Sequence, residues 1–324
     1  MRAVQFEQYG DYDQLKLVEL PEPVPADGEV LVRMAAAAVN PFDNTVRLGR
    51  AGGHQPPLVP GNEGAGTVVQ SRNPDLPVGT RVMLVGTFGF ARGGTWQELV
   101  TASGAEAVKT PSAIDDVTAA ATPVAYLAAE MALRVGCQLK PGQTILIPGV
   151  GGSVANAAIQ LAKAKGAGRV ISSSSRTDKV EQAHALGIDD VVDLSRETLS
   201  EGVMRLTDGK GVEIALDSVG GDITGQALAS LAGGGKVVHM GYPGGTELKV
   251  DSMAFIWKPA SIHGFNMYFL PPEEFGTAWA TILPLLEDGT LKPLVARTYP
   301  LEQAAEAQRY LIEGRPMGKV VLTL

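Results

Sequence analysis

A glycine-rich turn is the segment of this sequence best suited to bind phosphate. It joins residues 144–148, which read as a β-strand, to residues 156–165, which read as an alanine-rich helix. Small residues let backbone N–H groups approach a pyrophosphate, and the helix N-terminus adds roughly half a positive charge. The turn therefore favours a dinucleotide, although glycines also serve close packing of a helix on a sheet. Its predicted contacts are Gly151, Gly152, Ser153 and Val154.

The following predicted strand ends in a run of four serines, residues 172–175. A protein selective for NAD usually offers a carboxylate to the adenosine ribose at this place, and no acid stands there. The hydroxyl of Ser174 can bond to a 2′-phosphate, and Arg176 and Lys179 can pair with it. The pattern predicts NADPH as the cofactor, with a solvated polar strand end as the alternative.

The elements that would position these residues alternate as βαβ units from about residue 118 to residue 240. Such alternation predicts a doubly wound parallel sheet of the Rossmann type. The first third of the chain is instead rich in valine-bearing strands separated by segments dense in proline and glycine, such as residues 49–66. The length of 324 residues is enough for two domains, so we predict an α/β protein with a second, β-rich domain.

Charge and cysteine content exclude several classes of function. The formal net charge is −8 and no basic run is present, which disfavours nucleic acid as a partner. Cys137 is the only cysteine, so an internal disulfide and a zinc site of several thiolates are excluded. The N-terminus does not resemble a signal peptide, and Pro148 with neighbouring glycines interrupts the longest uncharged run. We expect a cytoplasmic protein with no membrane partner.

Five separated motifs resemble the medium-chain dehydrogenase/reductase superfamily, in its zinc-free quinone oxidoreductase and enoyl reductase branch, over essentially the whole chain. They are Ala38-Val39-Asn40-Pro41-Phe42-Asp43, Pro60-Gly61-Asn62-Glu63-Gly64-Ala65-Gly66, Gly93-Gly94-Thr95-Trp96, the glycine turn with its helix, and Asp217-Ser218-Val219-Gly220-Gly221. The resemblance implies a GroES-like catalytic domain over residues 1–122 and a Rossmann NADPH-binding domain over residues 123–260. Residues 261–324 are expected to complete the catalytic domain.

The resemblance also implies a site without a metal. Asn40 and Asn62 stand where zinc-dependent relatives have a cysteine and a histidine, and neither amide is a competent zinc ligand. Alcohol oxidation without zinc lacks a Lewis acid, so reduction of a small quinone or an α,β-unsaturated carbonyl (an enone) is expected. The alternatives are a nucleotide-binding protein with little turnover and a zinc-free alcohol dehydrogenase or ketone reductase.

Two residues are assigned to the chemistry by the same resemblance. Asn40 is expected near the nicotinamide ribose and the acceptor oxygen, with a turn-forming Asn-Pro pair as the alternative. Tyr126 is expected to donate to a substrate oxygen, with a packed tyrosine at the domain boundary as the alternative. Plain loops and a surface lysine are the alternatives for the remaining implied cofactor contacts, which are Val219, Gly241, Tyr242, Phe265, Asn266 and Lys319.

Some features depart from the branch or have no assigned role. The glycine turn reads Gly152-Ser153-Val154-Ala155 where the branch usually has Gly-Gly-Val-Gly. The tyrosine of the enoyl-thioester reductases is missing, with Ala51 near its place, which weakens a fatty-acyl thioester role. Glu130, one helical turn after Tyr126, is unassigned.

Residues 235–268, apolar around 250–257, resemble the edge through which family members form dimers, so we expect a homodimer.

Overall fold

The computed structural model describes all 324 residues and contains fifteen strands and ten α-helices. The strands are β1 (Arg2–Gln5), β2 (Lys16–Glu19), β3 (Glu29–Val39), β4 (Glu63–Ser71), β5 (Arg81–Val85), β6 (Leu99–Ser103), β7 (Ala107–Lys109), β8 (Thr144–Ile147), β9 (Arg169–Ser174), β10 (Val191–Asp193), β11 (Val212–Asp217), β12 (Leu231–His239), β13 (Ser261–Gly264), β14 (Val295–Pro300) and β15 (Lys319–Thr323). The helices are α1 (Pro41–Arg47), α2 (Asp116–Ala120), α3 (Pro123–Met131), α4 (Ser153–Ala164), α5 (Thr177–Ala185), α6 (Leu199–Leu206), α7 (Asp222–Ala229), α8 (Ser252–Trp257), α9 (Glu273–Glu287) and α10 (Ala304–Gly314). No helix combines the length and the apolar character needed to span a bilayer.

The chain divides into two units. The first comprises Met1–Val124 and Lys292–Leu324, and the second comprises Ala125–Leu291. The first boundary lies within two residues of the expected one. The second differs from the expected break after residue 260, because β13 pairs in parallel with β12 and so extends the Rossmann sheet. Residues 261–291 therefore belong to the second unit rather than to the catalytic domain.

The first unit is the β-rich one. Its main sheet has the order β14-β15-β3-β4-β5-β7, and β6 also pairs with β3. Strand β3 is central because it pairs with β4, β6 and β15, and most of its side chains are buried. The C-terminal strand β15 pairs antiparallel with β3, with Val320 opposite Val39. This register brings the start of β15 beside Asn40.

The second unit contains a six-stranded parallel sheet in the order β10-β9-β8-β11-β12-β13. Counted from β8, this is the Rossmann order 3-2-1-4-5-6, in which the strand order reverses between β8 and β11. Ligands of such sheets bind at the carboxyl ends of the strands, beside that reversal. The predicted α/β class, with a GroES-like domain and a Rossmann domain, is confirmed.

Candidate active site

The glycine turn lies between β8 and α4, at the carboxyl edge of the parallel sheet. Gly149 has a φ of 82°, a left-handed conformation that side chains rarely adopt, so the turn requires glycine there. Gly152 caps α4 without any side-chain hydrogen bond, which leaves the first N–H groups of the helix for an anion. Residues 151–154 thus lie together at a helix N-terminus that fits a pyrophosphate.

The predicted 2′-phosphate contacts lie at the end of β9 and the start of α5. Ser174 Oγ accepts the backbone N–H of Arg176 at 3.2 Å and donates to the carbonyl of the same residue at 3.1 Å. The Arg176 guanidinium donates to both carboxylate oxygens of Asp178, at 2.9 and 2.6 Å. This ion pair lowers the pKa of the Asp178 carboxyl. Sequence reasoning missed Asp178, although an acid two residues after the arginine was visible.

The predicted nicotinamide contacts follow three neighbouring strands of the sheet. Val219 follows β11, Gly241 and Tyr242 follow β12, and Phe265 and Asn266 follow β13. The backbone N–H of Gly244 donates to the carbonyl of Val219 at 2.7 Å, so the first two loops are bonded to each other. The structure therefore brings these five residues to one edge of the sheet.

Tyr126 is a buried residue of α3, with 2% of its surface exposed. Its hydroxyl lies beside the side-chain amide of Gln160 in α4 but makes no hydrogen bond of good geometry. Burial raises the pKa of this phenol, which therefore stays protonated. Apart from this approach of Gln160, the hydroxyl has no hydrogen-bond partner.

Glu130 has a role that the sequence left open. Its side chain is fully buried and accepts hydrogen bonds from Arg134 Nε at 3.0 Å and from Lys165 Nζ at 3.1 Å. Arg134 also pairs with Glu274 of α9. These ion pairs join α3, the end of α4 and α9, so Glu130 is a structural carboxylate with two cationic partners.

The first unit contains a buried polar cluster formed by Asn40, Asp43, Asn62, Glu63 and Lys319, each at most 5% exposed. The side-chain amide of Asn40 donates to Asn62 Oδ1 and to Glu63 Oε1, both at 2.8 Å. The Lys319 ammonium donates to Asn40 Oδ1 at 2.7 Å and to Glu63 Oε1 at 2.8 Å. The second oxygen of Glu63 accepts the backbone N–H of Val124 at 2.7 Å.

This geometry limits what the cluster can do. Both N–H groups of Asn40 are already used inside the protein, so its amide reaches another ligand only when one of these bonds opens. The alternative of a surface location for Lys319 is wrong, because this side chain is 2% exposed and paired with Glu63. Sequence reasoning missed Glu63 and Asp43, although both stand inside the quoted motifs.

Asp43 is the second buried carboxylic acid of the cluster. It lies in the first turn of α1, where its Oδ2 accepts the backbone N–H of Asn40 at 2.7 Å. Complete burial raises the pKa of its carboxyl from 3.8 to about 7, and the nearby Glu63 carboxylate adds to the rise. Hydrogen bonds with the backbones of Asn40 and Gly61 and the charge of Lys319 act in the opposite direction.

Asp43 makes the stability of the protein depend on pH. Between its ordinary pKa of 3.8 and its folded pKa of about 7, the folded state holds a proton that the unfolded state has lost. The free energy of unfolding therefore falls across that window, by about 2–4 kcal/mol. We expect Asp43→Asn, which keeps an acceptor oxygen, to gain stability relative to the unmodified protein as the pH rises from about 4 to about 7.

Urea unfolding of both proteins at several pH values measures this difference. Asp75→Asn, at an exposed acid, is the matched control: its free energy of unfolding should differ from that of the unmodified protein by the same amount at every pH. If the difference for Asp43→Asn is also independent of pH, the pKa assigned to Asp43 is wrong.

Comparison with known proteins identifies the family of this chain. Residues 26–112 match the alcohol dehydrogenase GroES-like domain, and residues 186–322 match the zinc-binding dehydrogenase family. Human quinone oxidoreductase is 29% identical over 331 residues, which cover 100% of this chain and 98% of that protein. Escherichia coli quinone oxidoreductase complexed with NADPH has a TM-score of 0.90 at 27% identity, with 100% of both chains covered. An NAD-dependent alcohol dehydrogenase has a TM-score of 0.92 at 31% identity, also over 100% of both chains.

Proposed function

Since the chain belongs to the medium-chain dehydrogenase/reductase superfamily, in the branch of the zinc-free quinone oxidoreductases, we propose that it reduces quinones or α,β-unsaturated carbonyls with NADPH. Bound NADPH supplies the hydride, and one proton completes the hydroquinone or the saturated carbonyl product. The observation that carries the proposal is the carboxyl edge of the Rossmann sheet, where a glycine turn, a serine-arginine strand end and three loops lie in order. NADPH consumption with a panel of acceptors tests it.

The residues of the second unit divide the binding of the cofactor among them. The N-terminus of α4 holds the pyrophosphate, and Ser174, Arg176 and Lys179 hold the 2′-phosphate. The loops that follow β11, β12 and β13 hold the nicotinamide, largely through their backbones. One structural relative is described with NADPH and another as NAD-dependent, so the proposal of NADPH rests on Ser174, Arg176 and Lys179.

The residues proposed for the chemistry act in different ways. The buried hydroxyl of Tyr126 is protonated and has only the Gln160 amide beside it, which suits a donor to the oxygen of an acceptor. Asn40 holds Lys319 and Glu63 in place and would contact a ligand only as that pairing opens. The two alternative functions use the same cofactor edge. A binding protein with little turnover oxidises NADPH with no acceptor, and a zinc-free alcohol dehydrogenase or ketone reductase accepts a ketone.

We also propose that the reaction needs no zinc. The positions that resemble the ligand positions of zinc enzymes hold two amides, and the Lys319 ammonium lies 2.7 Å from Asn40 Oδ1. Neither amide is a zinc ligand, and a cation already pairs with the nearest carboxylate. We expect purified protein to contain no stoichiometric zinc and to keep its activity in a chelator, as elemental analysis and assay would show. One zinc per chain with chelator-sensitive turnover would contradict this.

We further propose a homodimer, formed through the exposed apolar side chains of helix α8, which are Met253, Ile256 and Trp257. They are 63 to 78% exposed, and α8 lies in the chain between β12 and β13, the last two strands of the sheet. Exposed apolar side chains at helical spacing on one short helix are typical of an interaction surface. We expect sedimentation at about twice the 33.9 kDa chain mass, and Ile256→Lys to shift the protein toward monomer.

Val78→Lys, at an exposed apolar residue of the first unit, is the matched control and should remain dimeric. A monomer at every concentration of unmodified protein would refute the proposed assembly.

A further inference from the structure

A fully buried carboxylate, Asp217, ends strand β11 and receives four hydrogen bonds. Its Oδ1 accepts the backbone N–H groups of Val219 at 2.8 Å and Gly220 at 3.0 Å. Its Oδ2 accepts the hydroxyl of Thr224 at 2.5 Å and lies 3.1 Å from His239 Nδ1. The backbone N–H groups of Val219 and Gly220 and the Thr224 hydroxyl all use Asp217 as an acceptor, and the His239 tautomer with its proton on Nδ1 completes this set. Asp217 thereby joins the loop after β11, helix α7 and the end of β12.

His239 bonds to more than Asp217. It is the last residue of β12, and its carbonyl oxygen accepts the backbone N–H of Phe265, after β13, at 2.8 Å. Its side chain is 21% exposed, so the ring is packed without being sealed from solvent. The side chain of His239 therefore bonds to the carboxylate that anchors the loop after β11, and the residue itself ends the strand that leads into the loop after β12. Its bond to Phe265 is made by the backbone and does not depend on the side chain.

The loops after β11 and β12 also contact each other directly. Gly244 donates to the carbonyl of Val219, and a Cβ on Gly241 would collide with the carbonyl oxygen of Ser218. Because the two backbones touch with no side chain between them, displacement of one loop displaces the other. The bond between His239 and Asp217 joins the ends of β11 and β12, where these two loops begin.

We propose that His239 and Asp217 are positioning residues for the nicotinamide end of the cofactor, a role that rests on the proposed function. They act through the loops that follow β11 and β12 and not by contact with the cofactor. Without the Nδ1 donor, Asp217 Oδ2 keeps only Thr224, and the loops must be ordered by the ligand at a cost in affinity. The adenosine end is held from β9 and α5, by Ser174 and Arg176, and is independent of this pair.

The test compares two ligands and three variants by calorimetry. NADPH carries both ends of the cofactor, whereas adenosine 2′,5′-bisphosphate carries only the adenosine end. His239→Gln removes the donor at the Nδ1 position but keeps the size of the side chain, and His239→Asn places an amide near Nδ1. His184→Ala is the control, since His184 is exposed and bonds only to the carbonyl of Asp189.

We expect His239→Gln to raise the Kd for NADPH about tenfold and to leave the Kd for the bisphosphate within about twofold. His239→Asn should recover most of the loss, and His184→Ala should change neither ligand. If His239→Gln raises the Kd of both ligands equally, or of neither, the positioning role is wrong and the proposed function is unaffected. Unmodified protein that binds the bisphosphate but neither NADPH nor NADH overturns the proposed function as well, and so separates the two failures.

Discussion

Replacement of Lys319 by methionine should lower the free energy of unfolding by about 3–5 kcal/mol, because it leaves Glu63 as an unpaired buried carboxylate. The Lys319 ammonium and the Glu63 carboxylate are 2% and 0% exposed and lie 2.8 Å apart. The same change removes the only cation that bonds to Asn40 Oδ1. Because methionine fills much of the volume of the lysine stem, the variant leaves only a small cavity. The fall in the free energy of unfolding therefore comes mainly from the lost charge and its hydrogen bonds. Urea unfolding without added ligand measures it.

Two further variants isolate the ion pair. Lys319→Met combined with Glu63→Gln removes both charges but keeps an acceptor oxygen, and should recover more than half of the loss. Lys249→Met is the matched control, because Lys249 and its partner Asp222 are 75% and 70% exposed. That control should change stability by less than about 0.5 kcal/mol. A loss for Lys319→Met no larger than for Lys249→Met would contradict the buried pairing.

The second large effect is expected in the choice of cofactor. Charge-assisted contacts to a 2′-phosphate are worth about 1.5–3 kcal/mol each, so we expect a preference for NADPH over NADH of about a hundredfold after desolvation. Arg176→Ala should weaken NADPH by about tenfold or more and leave NADH unchanged. Ser174→Asp should weaken NADPH by repulsion and strengthen NADH through the ribose hydroxyls.

A change in the partner of Arg176 should have the opposite effect on the affinity for NADPH. The Asp178 carboxylate pairs with the Arg176 guanidinium at 2.6 Å, and its negative charge repels a phosphate. Asp178→Asn should therefore lower the Kd for NADPH severalfold. Arg205→Ala, at an exposed arginine paired with Glu197 in the same unit, is the matched control and should leave both dissociation constants unchanged. Equal dissociation constants for NADPH and NADH in the unmodified protein would remove the basis of the argument.

The sequence predicted local features and missed those that depend on distant pairing. The alternation of apolar runs with helical patterns predicted the parallel sheet correctly, because each βαβ unit is formed by consecutive residues. Strand β13 has only four residues, and its membership in that sheet depends on pairing with β12, so the boundary after residue 260 was misplaced. No local signal marks such a strand as the last of a sheet.

The candidate site shows the same division. The glycine turn and the serine strand end were visible because strand, turn and helix are adjacent in sequence. Lys319 and Asn40 are 279 residues apart, and only the register of β15 on β3 brings them together. Likewise, the arginine partner of Glu130 stands four residues away, whereas its lysine partner, Lys165, follows α4. The second carboxylate on that arginine, Glu274, comes from α9. A buried acid cannot be assigned from sequence until such partners are placed.

The most direct test of the proposed function is the rate at which purified protein oxidises NADPH in the presence of a quinone, an enone or a saturated ketone, each with and without a chelator. We predict NADPH oxidation with the quinone or the enone, none above background with the ketone, and no effect of the chelator. Oxidation with the ketone alone, or tight binding of NADPH with no oxidation by any acceptor, would contradict the proposed function.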